Sequence, residues 1–252
     1  NQPTTTFFLI FTPISVYRPS MPGDTTTTTN KNHNKTNSNS SNDTKEGTTV
    51  APKKFNLVSE TCAKFTYKGQ RLEIRNVYSD TLIWEMAKIR EVITTHKYIA
   101  MDTEFPGIVV RPLDAYQGTR EKNYKTLRAN VDLLKIIQLG LTFCDENGNL
   151  APGCPCWQFN FDFNVEVDLY ANDSIELLKS SGIDFAQHAK RGINPSIFAE
   201  MLMTSGLVLG PDTCWITFQS GYDFGYLLKM LTGADLPQTE TEFFAKLLKF
   251  FP

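Results

Sequence analysis

From Leu72 onward, apolar residues recur in two rhythms, one of helical period and one of strict alternation. Leu82, Met86, Ile89 and Ile93 fall at helical spacing, with Ile83 widening the stripe. Ser79 or Asp80 stands where a cap belongs, so the pattern predicts an amphipathic helix of about 15 residues. Tyr98 to Met101 is a short apolar run of strand character, closed by Asp102-Thr103-Glu104-Phe105-Pro106-Gly107. Residues 111–130 are polar and support no assignment. A second strand is predicted over Lys135–Phe143 and a third over Trp157–Phe163, where apolar and polar residues alternate. The turn signal Asp145-Glu146-Asn147-Gly148 between them predicts an antiparallel hairpin.

The helical rhythm then returns. Asp173-Ser174-Ile175-Glu176 has the form of a capping box, opening a helix that stops at Gly182. Asp184 to Lys190 reads as another short helix, and Asn194-Pro195 as an N-cap with proline at the first helical position. That next helix carries Ile197, Phe198, Met201 and Leu202. Trp215 to Phe218 is β-prone, Tyr222 to Leu231 is helical with Gly233 as its stop, and Thr239-Glu240-Thr241-Glu242 opens a last helix. A helix, three meandering strands, and then helices with one more strand predict an α/β domain with a mixed sheet.

Ahead of this domain the texture differs. Residues 22–49 hold no large aliphatic or aromatic side chain and are rich in Thr, Asn and Ser. Such a segment buries too little surface to offset its ordering entropy, so residues 1–70 are expected to be a disordered tail and 71–252 the folded domain. Met21 is the first methionine and the expected start, which makes residues 1–20 upstream sequence or a fragment edge. The apolar run Phe7–Phe11 is too short to span a membrane. A net charge of −2 argues against a basic histone-like or polybasic membrane protein but leaves RNA open, since an enzyme can meet phosphates with bound metal ions. The five cysteines include no Cys-x-x-Cys pair, and Cys154-Pro155-Cys156 lacks the second ligand pair of a structural zinc site, so reduced thiols are expected.

The chemistry is carried by acids. Asp102 and Glu104 lie two apart on a predicted strand, so both leave the same face, about 7 Å or less from each other. Two carboxylates that close repel, and a hard divalent cation relieves the repulsion. Asp223 opens an otherwise apolar helix, where an acid also suits the helix dipole. Together the three describe the protein side of a two-metal phosphodiester hydrolysis site.

Long stretches of the chain then carry a resemblance. Lys88–Val92, Tyr98–Gly107, Asn130–Phe143, Trp157–Phe161 and Ser220–Tyr226 closely resemble the Caf/Pop-type deadenylase family of the CCR–NOT complex, from about Ile74 to about Phe250. The resemblance implies a ribonuclease-H-like mixed sheet flanked by helices, of the DEDD exonuclease superfamily. It implies two divalent cations, Mg²⁺ or Mn²⁺, and 3′-to-5′ hydrolysis of poly(A) tails with release of AMP. Asp102 and Glu104 match the first two acidic positions and Asp223 the third. Asp102 would then bridge both metals, Glu104 would bind the nucleophile-side metal, and Asp223 would support the second. Implied partners are poly(A) RNA, the CCR–NOT scaffold, the second deadenylase subunit and antiproliferative adaptors, with no membrane; the implied locations are cytoplasm and nucleus.

The chain departs from the family's pattern in two places. Gln219 stands where the family often has His. The family's fourth acid and general-base His fall downstream of Pro252, so the chain is expected to continue, and as given to be catalytically weak. Neither His96, expected at a helix C-terminus, nor His188, expected on a polar helix surface, substitutes for that base. The exposed apolar side of the last helix points the same way. Two rival readings remain: a catalytically incomplete binding subunit of a deadenylation complex, and a DNA-directed exonuclease of the same superfamily.

Overall fold

The computed structural model describes residues 62–67, 70–111 and 120–252. Thirteen elements follow one another: β1 (Cys62–Tyr67), β2 (Gln70–Val77), α1 (Leu82–Val92), β3 (Tyr98–Glu104), α2 (Arg120–Leu133), β4 (Gln138–Cys144), β5 (Cys156–Asn160), α3 (Asn172–Ser180), α4 (Phe185–Arg191), α5 (Pro195–Met203), β6 (Cys214–Ile216), α6 (Gly221–Thr232) and α7 (Glu240–Phe250). The strands form a six-stranded sheet of order β1-β2-β5-β4-β3-β6. β3, β4 and β5 are the antiparallel meander the alternation predicted. β2 joins β5 and β6 joins β3 in parallel, which makes the sheet mixed.

Local chemistry explains most element ends. The β4–β5 connection begins with Asp145, whose carboxylate accepts from the amides of Asn147 and Asn149. Asn194 caps α5 by accepting from Ser196 N and Ile197 N, and Asp184 caps α4 by accepting from Gln187 N. α7 opens with a reciprocal capping box between Thr239 and Glu242. α6 stops at Gly233 in the left-handed region, at φ 62°.

The main core gathers β3, β4 and β5 against α1, α2, α5, α6 and α7, through Met86, Ile99, Met101, Phe143, Trp157, Phe159, Phe198, Leu202, Leu227 and Phe243 among others. A smaller cluster of Ile137, Phe163, Ile175, Leu178 and Phe185 closes the side under α3 and α4.

Several expectations need correction. The proposed tail reached residue 70, yet Cys62–Tyr67 forms β1 and pairs with β2, so the sheet takes in residues assigned to the tail; the rest of the proposed tail, with Met21, lies outside the described residues. The polar stretch after residue 111 contains the long helix α2, whose only buried members are Tyr124, Asn130 and Val131. Three buried residues in fourteen leave too weak an apolar period to read. α1 runs only from Leu82 to Val92, and neither Ser79 nor Asp80 caps it; Thr81 does the local work, exchanging hydrogen bonds with Tyr78. Ile83 does not widen its buried stripe, being 68% exposed beside Trp84 at 70%. The core-facing position is taken by Glu85, which accepts from the Trp157 indole N–H at 2.9 Å and pairs with Lys88. α3 starts after Ala171 with no side-chain cap, so the expected box at Asp173–Glu176 does not form. His188 is 1% exposed, not superficial.

Candidate active site

β3 delivers Asp102 and Glu104 to one face of its C-terminal end, as alternation requires. The segment that follows is held by distant groups. Glu104 O accepts from Ile137 N at 2.9 Å, and Pro106 O from Ala171 N at 2.8 Å. Gly107 sits at φ +86°, and a Cβ there would come 2.2 Å from Ser174 Oγ, so only glycine lets the chain turn away after the acids. Asn130, fully buried on α2, then clamps the next residues: its Oδ1 accepts from Val109 N and Val110 N at 2.8 and 2.9 Å, while its Nδ2 donates to Val110 O and Thr126 O.

The third acid comes from across the sheet. β6 follows β3 in parallel only as far as the pair Ala100–Ile216 and then leaves. Beyond that point Thr103 N lacks a strand partner and donates instead to Asp223 Oδ1 at 3.1 Å. The Thr103 hydroxyl donates to the same oxygen. Asp223, in the first turn of α6, therefore closes the strand edge that β6 vacates, within reach of the two β3 acids. Phe105 stacks on Tyr222 with ring centroids 4.9 Å apart and lies 5.4 Å from Tyr226, packing the segment after the acids against α6.

The electrostatics are those of crowded, like charges. Burial pushes all three carboxyls above their ordinary range. Asp223 raises Asp102 further, and Glu104, burdened by burial and then by Asp102 and Asp223, is pushed up to about 7. Thr103 partly offsets this at Asp223 by hydrogen bonding to the charged form. Among the described residues, no lysine or arginine forms an ion pair with any of the three.

Asp223 thus lies in electrostatic range of both β3 acids. The three do not close into a finished cage: among the described residues, no group of three or more His, Cys, Asp or Glu converges tightly enough to hold an ion, and one Asp223 oxygen is engaged with Thr103. The donor set still fits a hard divalent cation, since crowded carboxylates that have no ion-pair partner among the described residues are relieved by one. Neither histidine joins them. His188 Nδ1 is hydrogen bonded to Phe161 O at 2.8 Å, among Tyr78 and Phe185, and His96 bonds to Thr95 at the end of α1. Sequence reasoning missed Thr103 and Asn130. Thr103 stood in plain view between the two acids, but its role depends on where α6 lands.

Comparison with known proteins gives this geometry a lineage. Residues 77–195 match the family described as CAF1 family ribonuclease. A probable CCR4-associated factor 1 homolog of Arabidopsis thaliana (homolog 7) is 53% identical over 192 residues, covering 73% of this chain and 70% of that protein. The chain belongs to the CAF1 ribonuclease family. The poly(A) ribonuclease pop2 of Schizosaccharomyces pombe is 52% identical over 179 residues, 71% of this chain and 53% of that protein. A solved S. pombe Pop2p structure with Mg²⁺ and Mn²⁺ bound superposes with a TM-score of 0.69 at 52% identity, covering 71% of each chain. A yeast CAF1 co-crystallised with the NOT1 MIF4G domain is 33% identical, with a TM-score of 0.62 over 71% of this chain and 66% of that one. The CAF1 match spans β3 and its acids, the Asn130 clamp and the β4–β5 hairpin; Asp223 lies beyond the 77–195 segment but inside the folded unit that carries them.

Proposed function

We propose that this chain is a metal-dependent 3′-to-5′ exoribonuclease that shortens poly(A) tails and releases AMP. The observation that carries the reading is the electrostatic junction of Asp102, Glu104 and Asp223, three acids that among the described residues have no Lys or Arg ion-pair partner. It gains weight from similarity to a protein named poly(A) ribonuclease. Bound Mg²⁺ or Mn²⁺ would lower the pKa of an attacking water and neutralise charge on the leaving oxygen. Asp102 and Glu104 would hold the cation from the end of β3, and Asp223, hydrogen bonded by Thr103, would hold it from α6. Asn130 and Gly107 fix the course of the segment after the acids.

The scaffold partner follows the yeast relative, co-crystallised with a NOT1 MIF4G domain. We extend the reading to a deadenylation complex acting in cytoplasm and nucleus, with the second deadenylase subunit and small adaptor proteins as further members. Among the described residues, no helix is long and apolar enough to cross a membrane.

The test is hydrolysis of a 3′-terminal oligoadenylate with Mg²⁺ or Mn²⁺, followed as AMP release, against a DNA oligomer and an EDTA control. Asp102→Asn should lower kcat/KM by about a hundredfold or more, since it removes a charge that acts on the reacting phosphate. An Asp102→Asn protein as active as its parent would refute the assignment. Cation-independent RNA binding without turnover would support the binding-subunit alternative, and equal turnover of DNA the DNA-directed one.

A further inference from the structure

We infer that Phe218 is a stacking residue for a base of the bound RNA strand, an inference that rests on the nuclease reading above. Phe218 is the most exposed large hydrophobic side chain among the described residues, at 78%, and has no aromatic neighbour there. Exposure by itself carries no meaning, since single surface hydrophobics are ordinary. Its place in the fold decides the matter.

β6 pairs in register with β3 up to Ala100–Ile216. Two residues beyond that pair stand Asp102, still on β3, and Phe218, in the loop after β6, so the loop leaves the sheet near the first acid. Five residues later the chain returns to the site through Asp223. Phe218 is therefore bracketed along the chain by two elements that deliver carboxylates.

The loop is also held in shape. Gln219 occupies the left-handed region at φ 49°, uncommon for a residue with a side chain. The Thr217 hydroxyl donates to Ser220 Oγ at 2.7 Å, and Gly221 N donates to Gln219 O at 3.0 Å. Backbone strain of this kind, when the surroundings enforce it, is found beside functional sites. Here it fixes the loop that carries the exposed ring between β6 and α6.

Phenylalanine has no hydrogen-bonding group, so its interaction with a nucleotide is through the π-face and is tolerant of base identity. The nearby Phe105 ring is not equivalent, because its face is already used by Tyr222. Phe218 thus contributes affinity for single-stranded RNA near the scissile phosphate, and does not select adenine.

The probe is a short oligoadenylate with 2-aminopurine near its 3′ end, titrated with the full chain in Mg²⁺ and, separately, in EDTA. Stacking quenches the fluorophore whether or not turnover occurs. The expected result is quenching by the parent protein, loss of quenching and about 5- to 100-fold weaker binding for Phe218→Ala, and recovery by Phe218→Tyr. Melting temperatures of all three should agree, because the side chain is exposed. Equal quenching by Phe218→Ala, or equal weakening by Phe218→Tyr, overturns the inference while leaving the nuclease reading intact. A parent protein that binds no RNA under either condition overturns both.

Discussion

Glu104→Gln tests whether the site holds stored repulsion. Glu104 is raised from 4.5 to about 7, first by burial, then by Asp102 and Asp223. A carboxyl that binds its proton more tightly in the folded state favours folding fully below its unfolded pKa. That contribution drains as pH rises from 4.5 and is gone above about 7. At about 1.4 kcal/mol per pH unit, the window from 4.5 to about 7 amounts to about 3 kcal/mol. Glutamine keeps the shape and removes the titration. In EDTA at pH 8 the variant should therefore melt higher than its parent by about 6–12 °C, using the usual scaling for a domain of this size. The difference should shrink toward pH 5, where the parent carries the proton. Part of the parent's pH dependence should survive, because Asp102 and Asp223 are raised in the same direction. Magnesium should stabilise the parent more than the variant, since the cation replaces the missing counter-charge. Catalysis should move the opposite way and fall. Calorimetry at pH 5, 6, 7 and 8, with and without Mg²⁺, reads all of this. A variant that melts below its parent at pH 8 in EDTA, or that keeps the parent's full pH slope, would refute the argument.

Asn130→Ala should cost about 3 kcal/mol, because it removes the hydrogen bonds that a fully buried side chain makes with Val109, Val110 and Thr126 and leaves a void in its place; thermal melting measures that loss, and a raised KM for RNA would register the loosened segment after the acids. Trp84→Lys should leave stability within about 0.5 kcal/mol, since Trp84 faces solvent on α1; a loss of 2 kcal/mol or more in denaturant titration would mean that the helix is rotated from the orientation described.

What the sequence made legible was periodic or local. The β3–β5 meander could be read because residues such as Leu139, Leu141, Phe143, Trp157 and Phe159 alternate and are buried. The caps at Asn194 and Thr239 are local hydrogen bonds between residues two or three apart, and both form. α2 was not legible because its buried face includes Asn130 and a half-buried ammonium, Lys229, reaches over from α6 to the carbonyls of Val131, Asp132 and Leu134. A polar helix satisfied by another helix has no apolar rhythm to detect. His188 misled for the same reason. Its helix is polar in composition, yet the ring is buried against Phe161 O, with burial lowering its pKa and so favouring the neutral form.

The same division runs through the candidate site. The acids were legible because spacing on a strand fixes their common face. What turns them into a site is non-local: β6 ends early, Thr103 N is left without a strand partner, and Asp223 arrives to take it. Extending β6 by two residues would give Thr103 N a backbone acceptor and leave Asp223 only the Thr103 hydroxyl to hold it. The departure of the chain after Ile216 is thus the structural event that admits the third carboxylate to the sheet edge. It is also what places an uncovered aromatic ring beside the acids, so one backbone decision supplies both charge and a stacking surface.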